Sequence, residues 1–250
     1  IGSYLRVVAS YEDNQGTVET THSPATEKII ADNDPAVGPV NLMSSIESNL
    51  EQGYIGSAVA PDLVVLQNGE IFVLSGRHPN KIYTQKYSEN GLLADNSTQQ
   101  IAEEPALMGG VKSQEYSIAS LAEGGFVAVW TTENRDIYVQ IFNDEGVAVG
   151  QRAYVDIDHY GSQKNPEVRG LDNGGFAITW QGQQEDGVRA IYGRVFEPNG
   201  IPAGDTFKIN SFDSNPMYPS IAPLPDSGFV VSWNYNEHLE LDSLDVFGQV

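Results

Sequence analysis

Gly124-Gly125-Phe126-Val127-Ala128-Val129-Trp130 recurs as Gly174-Gly175-Phe176-Ala177-Ile178-Thr179-Trp180 and again as Ser227-Gly228-Phe229-Val230-Val231-Ser232-Trp233. A degenerate copy runs from Asn68 through Gly69, Ile71, Phe72, Val73 and Leu74, with Ser75 at the tryptophan position. Positions 75, 130, 180 and 233 lie 55, 50 and 53 residues apart. A second motif keeps the same beat: Ile82-Tyr83-Thr84-Gln85, Ile137-Tyr138-Val139-Gln140, Ile191-Tyr192-Gly193-Arg194 and Val246-Phe247-Gly248-Gln249. A third is a turn, Glu89-Asn90-Gly91, Asp144-Glu145-Gly146 and Pro198-Asn199-Gly200, whose glycines supply the positive φ of a hairpin. Three motifs in one phase define a tandem repeat of about 50 residues.

Each unit reads as four short strands. Strand A is Ile118 to Leu121, Val168 to Leu171 or Ile221 to Leu224; strand B is the Gly-Gly-Phe run; strand C carries Tyr-x-Gln; strand D follows the turn, as in Ala153 to Ile157 and Thr206 to Ile209. Strand B is apolar on both faces, since Phe126, Ala128 and Trp130 alternate with Val127 and Val129. An antiparallel strand buried on both faces lies between two layers, which packed blades supply. The expected fold is therefore all-β, a β-propeller of four-stranded blades. The phase gives three whole repeats with part-repeats at each end. Gly38 and Val40-Asn41-Leu42, within residues 37–45, read as a lone strand D, and the chain ends just after a lone strand C. Joined, they would close a fourth blade and leave no free sheet edge.

The expected domain division follows. Residues 1–25 form a hairpin closing a preceding immunoglobulin-like domain, 26–60 a linker with an N-terminal propeller strand, and 61–250 the repeats 61–116, 117–166, 167–219 and 220–250. Thirteen basic and 34 acidic residues give a formal charge of −21. Coulomb repulsion then argues against nucleic acid and against an anionic membrane as partners. The chain has no cysteine, which removes disulfides, thiolate metal sites and cysteine catalysis together. No apolar run approaches the ~20 residues a membrane helix needs. Because the chain opens on Ile1 rather than methionine, we expect it to be a piece of something longer.

Pro166, Leu171-Asp172-Asn173-Gly174-Gly175-Phe176, Trp180, Ile191-Tyr192-Gly193-Arg194-Val195-Phe196, Asn199-Gly200 and Gly204 together form a unit. It resembles the repeats of very large secreted bacterial proteins of the RTX and calcium-dependent adhesin type. The segment Tyr4-Leu5-Arg6-Val7-Val8-Ala9-Ser10-Tyr11-Glu12-Asp13-Asn14-Gln15-Gly16-Thr17 is similar to the closing strands of the bacterial immunoglobulin-like repeats that accompany them. The resemblance implies a secreted or cell-surface location. The glycine-aspartate nonapeptides that bind calcium in RTX repeats are not present, so calcium binding by that device does not carry over.

Candidate chemistry is sparse. Phe126, Trp130, Phe176, Trp180, Phe229 and Trp233 read as blade packing, although indole faces would also suit sugar rings. BC and DA loops share one face of a propeller. That face gathers Glu133, Asp136, Asp156, Asp158, Glu185, Asp186, Asp213, Glu237, Glu240, Asp242 and Asp245, a candidate Ca²⁺ or ligand surface because hard cations want converging oxygens. The competing explanation is a solvated, self-repelling surface. His78, His159 and His238 fall on the same face and read as scattered surface residues. In propeller glycosidases and sialidases, carboxylates and arginines line the central funnel near the start of strand A. Here Arg169 is the only arginine there, and no nucleophile motif, phosphate loop or zinc signature appears.

The expectation is a non-enzymatic extracellular structural or adhesive module, meeting a glycan, a protein, Ca²⁺ or neighbouring subunits through its acidic loops. The alternative is a glycan-acting hydrolase or lyase on the same scaffold. Carboxylates clustered in a central pocket would distinguish it.

Overall fold

The computed structural model describes residues 8–12, 18–22, 59–77, 81–89, 94, 98–103, 115–132, 134–156, 161–183, 187–211, 216–235 and 245–249. By its contacts the chain divides into two compact units, 1–46 and 47–250. In the first, β1 (Val8–Glu12) and β2 (Val18–His22) form an antiparallel hairpin. The lone strand expected at residues 37–45 lies outside the described residues.

The second unit is a β-propeller built of antiparallel meanders. The first blade is β3 (Val59–Val65), β4 (Ile71–Arg77), β5 (Lys81–Tyr87) and β6 (Gln99–Glu103). The next is β7 (Tyr116–Ser120), β8 (Phe126–Thr131), β9 (Ile137–Phe142) and β10 (Ala148–Tyr154). The third is β11 (Gln163–Gly170), β12 (Phe176–Gln183), β13 (Arg189–Phe196) and β14 (Phe207–Lys208). The last has β15 (Met217–Pro223), β16 (Phe229–Tyr235) and β17 (Asp245–Gln249). Innermost strands meet in sequence, β3 with β7, β7 with β11 and β11 with β15.

The repeat motifs owe their phase to register. The tryptophan of one motif faces the aromatic of the other across the ladder: Trp130 pairs with Tyr138, Trp180 with Tyr192 and Trp233 with Phe247. The degenerate copy keeps the pairing as Ser75 with Tyr83. Strand B alternation separates two interfaces. Phe126, Ala128 and Trp130 pack with Val64, Leu66, Phe72 and Leu74 of the first blade, while Val127 and Val129 pack with Val168, Phe176, Ile178 and Trp180 of the third. Leu171, Ala177, Ile191 and Ile209 meet Ile221, Val231 and Trp233 in the next interface. Burial between layers, rather than within one, is what makes both faces apolar.

Polar ties cross the same interfaces. Arg194 Nη1 donates to the Val155 carbonyl at 2.7 Å. Lys86 donates to the Asp144 carbonyl at 3.1 Å and pairs with Glu70 at 2.8 Å. Two glycines fix how closely chains approach. Gly125, at φ 71°, receives the Asp144 carboxylate on its N–H at 2.6 Å, and a Cβ there would collide with the Phe142 carbonyl oxygen. At Gly170, on an innermost strand, a Cβ would collide with the Ser120 carbonyl oxygen of the preceding blade. Neither obstacle is a side chain that can turn away. We expect Gly170→Ala to cost roughly 2–4 kcal/mol by forcing two blades apart. An unchanged urea midpoint would disprove the close approach.

Candidate functional site

Three of the four innermost strands break register near their starts, between Val59 and Asp62, between Lys164 and Glu167, and between Met217 and Ser220. Each break holds a proline, Pro61, Pro166 or Pro219. Proline has no N–H to donate, so it interrupts a ladder and favours a bulge. Asn165 and Tyr218, just before two of them, stand at φ 52° and 54°. The residue after each proline resumes pairing at one register: Asp62 with Leu74, Glu167 with Thr179 and Ser220 with Ser232. Ser117, paired with Val129, holds that register in the second blade. Asp62, Ser117, Glu167 and Ser220 therefore occupy equivalent positions on the four innermost strands.

These positions reach from blade to blade. Asp62 Oδ2 accepts from the Ile118 N–H at 3.0 Å and from the Ser117 hydroxyl at 3.2 Å. The Ser117 oxygen, fully buried, accepts in turn from the Val168 N–H at 3.4 Å. Arg169 Nη2 lies 3.3 Å from Glu167 Oε2, and its Nη1 donates to the Val168 carbonyl at 2.6 Å. A cavity of about 370 Å³ opens among the innermost strands, walled by Asp62, Leu63, Val65, Ile118, Arg169 and Pro223.

Burial pushes the Glu167 carboxyl up to about 6; Arg169 opposes that rise and the negative charge of Asp62 adds to it. The side chain is 30% exposed, so it is desolvated enough to resist ionisation and open enough to exchange a proton. Two carboxyls with one held protonated toward neutral pH, beside a guanidinium, can perform acid–base chemistry. Asp62 also has a structural share. Asp62→Ala strips the acceptor from the Ile118 and Leu63 N–H groups and from a buried hydroxyl, and we expect a loss of about 1–3 kcal/mol in urea unfolding.

Sequence reasoning sought the site in the loops. Of that acidic set, Asp136 donates its N–H to Thr132 Oγ1 at 3.1 Å and accepts on its carbonyl from the Thr132 N–H. Burial raises its carboxyl above the ordinary value. Asp156 follows β10, nearly buried, with its carbonyl accepting from Gln163 Nε2 at 3.2 Å. Asp245 opens β17. Glu133, Asp158, Glu185, Asp186, Asp213, Glu237, Glu240 and Asp242 lie outside the described residues, as do His78, His159 and His238. Among the described residues no three His, Cys, Asp or Glu side chains gather to hold a metal ion. Phe126, Phe176, Trp130 and Trp180 are almost wholly enclosed, Trp233 is 5% exposed and Phe229 packs beside it partly buried. Asp62 and Glu167 were missed, and their signal was the residue following a proline at one phase of the repeat.

No protein-family model matches the chain, and no curated protein matches it. Among solved structures it is similar to a Hadza microbial sialidase, at 11% identity and TM-score 0.51, covering 77% of this chain and 44% of that one. A sialidase from Streptococcus pneumoniae matches at 12% identity and TM-score 0.50, covering 76% of this chain and 28% of that one. An endo-arabinanase from Bacillus licheniformis matches at 10% identity and TM-score 0.48, covering 99% and 92%. The chain spans less than half the length of either sialidase. The likeness is one of fold. The expectation of a non-enzymatic structural or adhesive module is corrected on that likeness, since the two structures matched at TM-scores of 0.51 and 0.50 are sialidases, in line with the glycan-acting alternative. Among the described residues no helix is long and apolar enough to cross a membrane.

Proposed function

We propose that this chain is a glycan-acting hydrolase working at the central cavity of its propeller, with Glu167 as proton donor and Asp62 as partner carboxylate. The observation that carries this is the half-buried Glu167, held to about 6 with the charge of Asp62 acting on it, paired with Arg169, which walls the cavity among the innermost strands together with Asp62. Glycoside hydrolysis asks for that division of labour. Glu167 gives its proton to the glycosidic oxygen as the bond to the anomeric carbon breaks. Asp62 supplies the negative charge that activates water or steadies the cationic centre, and the water oxygen ends on that carbon. Arg169 orients a polar group of the sugar while limiting how far the Glu167 value rises. The sialidases of similar fold support a glycan as the substrate class.

An acidic, cysteine-free chain with repeats resembling those of large secreted bacterial proteins accords with work outside the cell, on glycans exposed there. The test is turnover of arabinan, xylan and sialyllactose by the purified chain, followed as released reducing sugar or free sialic acid. We expect one of these to be cleaved by the native chain and spared by Glu167→Gln. Equal turnover by both would remove Glu167 as the acid, and no product from any of them would count against hydrolysis.

A further inference from the structure

The four equivalent positions on the innermost strands do not all carry acids. The first and third hold Asp62 and Glu167; between them, on β7, stands Ser117. Its hydroxyl makes both kinds of hydrogen bond: it donates toward Asp62 Oδ2 at 3.2 Å and accepts from the Val168 N–H at 3.4 Å. Val168 is the residue after Glu167, and its carbonyl receives Arg169 Nη1. One oxygen thus touches the side chain of one carboxylate and the backbone that carries the other. It has no exposed surface, so water does not compete for either bond.

We propose that Ser117 is the positioning residue of this site, fixing the Asp62 carboxylate against the strand that carries Glu167 and Arg169. This rests on the pairing of Asp62 with Glu167 proposed above. The physical basis is directional. The Leu63 N–H on Oδ1 at 2.9 Å and the Ile118 N–H on Oδ2 at 3.0 Å hold the Asp62 carboxylate from the backbone, and the Ser117 hydroxyl adds a second donor to Oδ2, the one that ties this oxygen to β11. Because the hydroxyl proton goes to Asp62, the Ser117 lone pairs face β11, and the same atom registers the third blade through Val168. Among the described residues, the charged groups acting on Glu167 are Arg169 on its own strand and Asp62 on β3. The facing register positions on β7, β12 and β15 are the neutral Ser117, Thr179 and Ser220.

The test reads Glu167 directly, by carboxyl ¹³C NMR titration, in the native chain, Asp62→Asn, Ser117→Ala and the double variant. In the native background, we expect Asp62→Asn to lower the Glu167 midpoint by about half a pH unit or more, because a like charge is removed. With Ser117→Ala in place, the same change should move it by less than half as much, and Ser117→Thr should restore the native response. Turnover should follow, with kcat down about 10-fold to 100-fold in Ser117→Ala and KM unchanged, as misplacement of a reacting group produces. An equal Asp62→Asn shift in both backgrounds overturns the positioning role and leaves the carboxylate pair standing. No shift in the native background overturns both, since nothing is then being positioned. Should Ser117→Ala melt early, Ser117→Cys keeps the volume with a weaker donor, and the same comparison is made there.

Discussion

Trp180→Ala lowers the stability of the propeller by about 3–5 kcal/mol, the range in which a large aromatic leaves a cavity that its neighbours cannot fill. Trp180 has no exposed surface and packs with Val127, Val129, Ile137 and Val168 of two blades. Its ring stacks on Tyr192 at 6.1 Å, across the ladder pair that joins β12 to β13. Shrinkage into the space is blocked because Val127 and Val129 sit on a strand buried on both faces. In a domain of this size the loss would lower the melting temperature by roughly 10 °C. Trp180→Phe should cost less than its lost area implies. The indole Nε1 is buried without a hydrogen-bond partner, so removing that N–H recovers part of the loss. A urea midpoint for Trp180→Ala equal to the native value would show that the ring is not a packing element.

Glu167→Gln is expected to lower kcat by about 10²- to 10⁴-fold, the span that general acid catalysis contributes. The amide matches the carboxyl in shape but cannot deliver a proton. The pH dependence gives a second, independent measure. The folded-state value, about 6 against an ordinary 4.5, means that between these values the folded chain holds a proton that the unfolded chain has released. Stability should therefore fall as pH rises through that window and level off above it. The full shift corresponds to about 2 kcal/mol, reduced toward about 1 because solvent still reaches the side chain. Activity that needs the protonated acid should decline over the same upper limb. Glu167→Gln should flatten the melting-temperature profile between pH 4.5 and 6.5, and a native profile already flat there would refute the raised value.

The fold was legible because its determinants are apolar and periodic. Each Gly-Gly-Phe run states a turn and a doubly buried strand, and its tryptophan faces the aromatic of the Tyr-x-Gln motif across the ladder. The site was not legible for a related reason. An innermost strand traced by its apolar run begins at Ile118, Val168 or Ile221, one residue after Ser117, Glu167 and Ser220. The polar residue that matters sits at the mouth of a bulge, where alternation fails and only the backbone decides which way a side chain points. Acidic residues were more numerous in the loops, and counting favoured them. The arginine at 169 was noticed on strand A, but its carboxylate neighbour two residues earlier belonged to no apolar pattern.

The prolines have a consequence beyond aiming side chains. Every blade presents the free edge of its innermost strand toward the cavity, and such a row of N–H and C=O groups, only partly taken up by Asp62, Ser117 and Arg169, invites an intruding strand from another chain to add itself there. At Pro61, Pro166 and Pro219 that row lacks a donor and the strand is kinked by its bulge. An incoming strand would find its pairing interrupted at the same height on three sides. The device that turns Asp62 and Glu167 toward their neighbours thus also guards the opening against aggregation, so replacing a proline there should favour self-association as well as misaim a carboxylate.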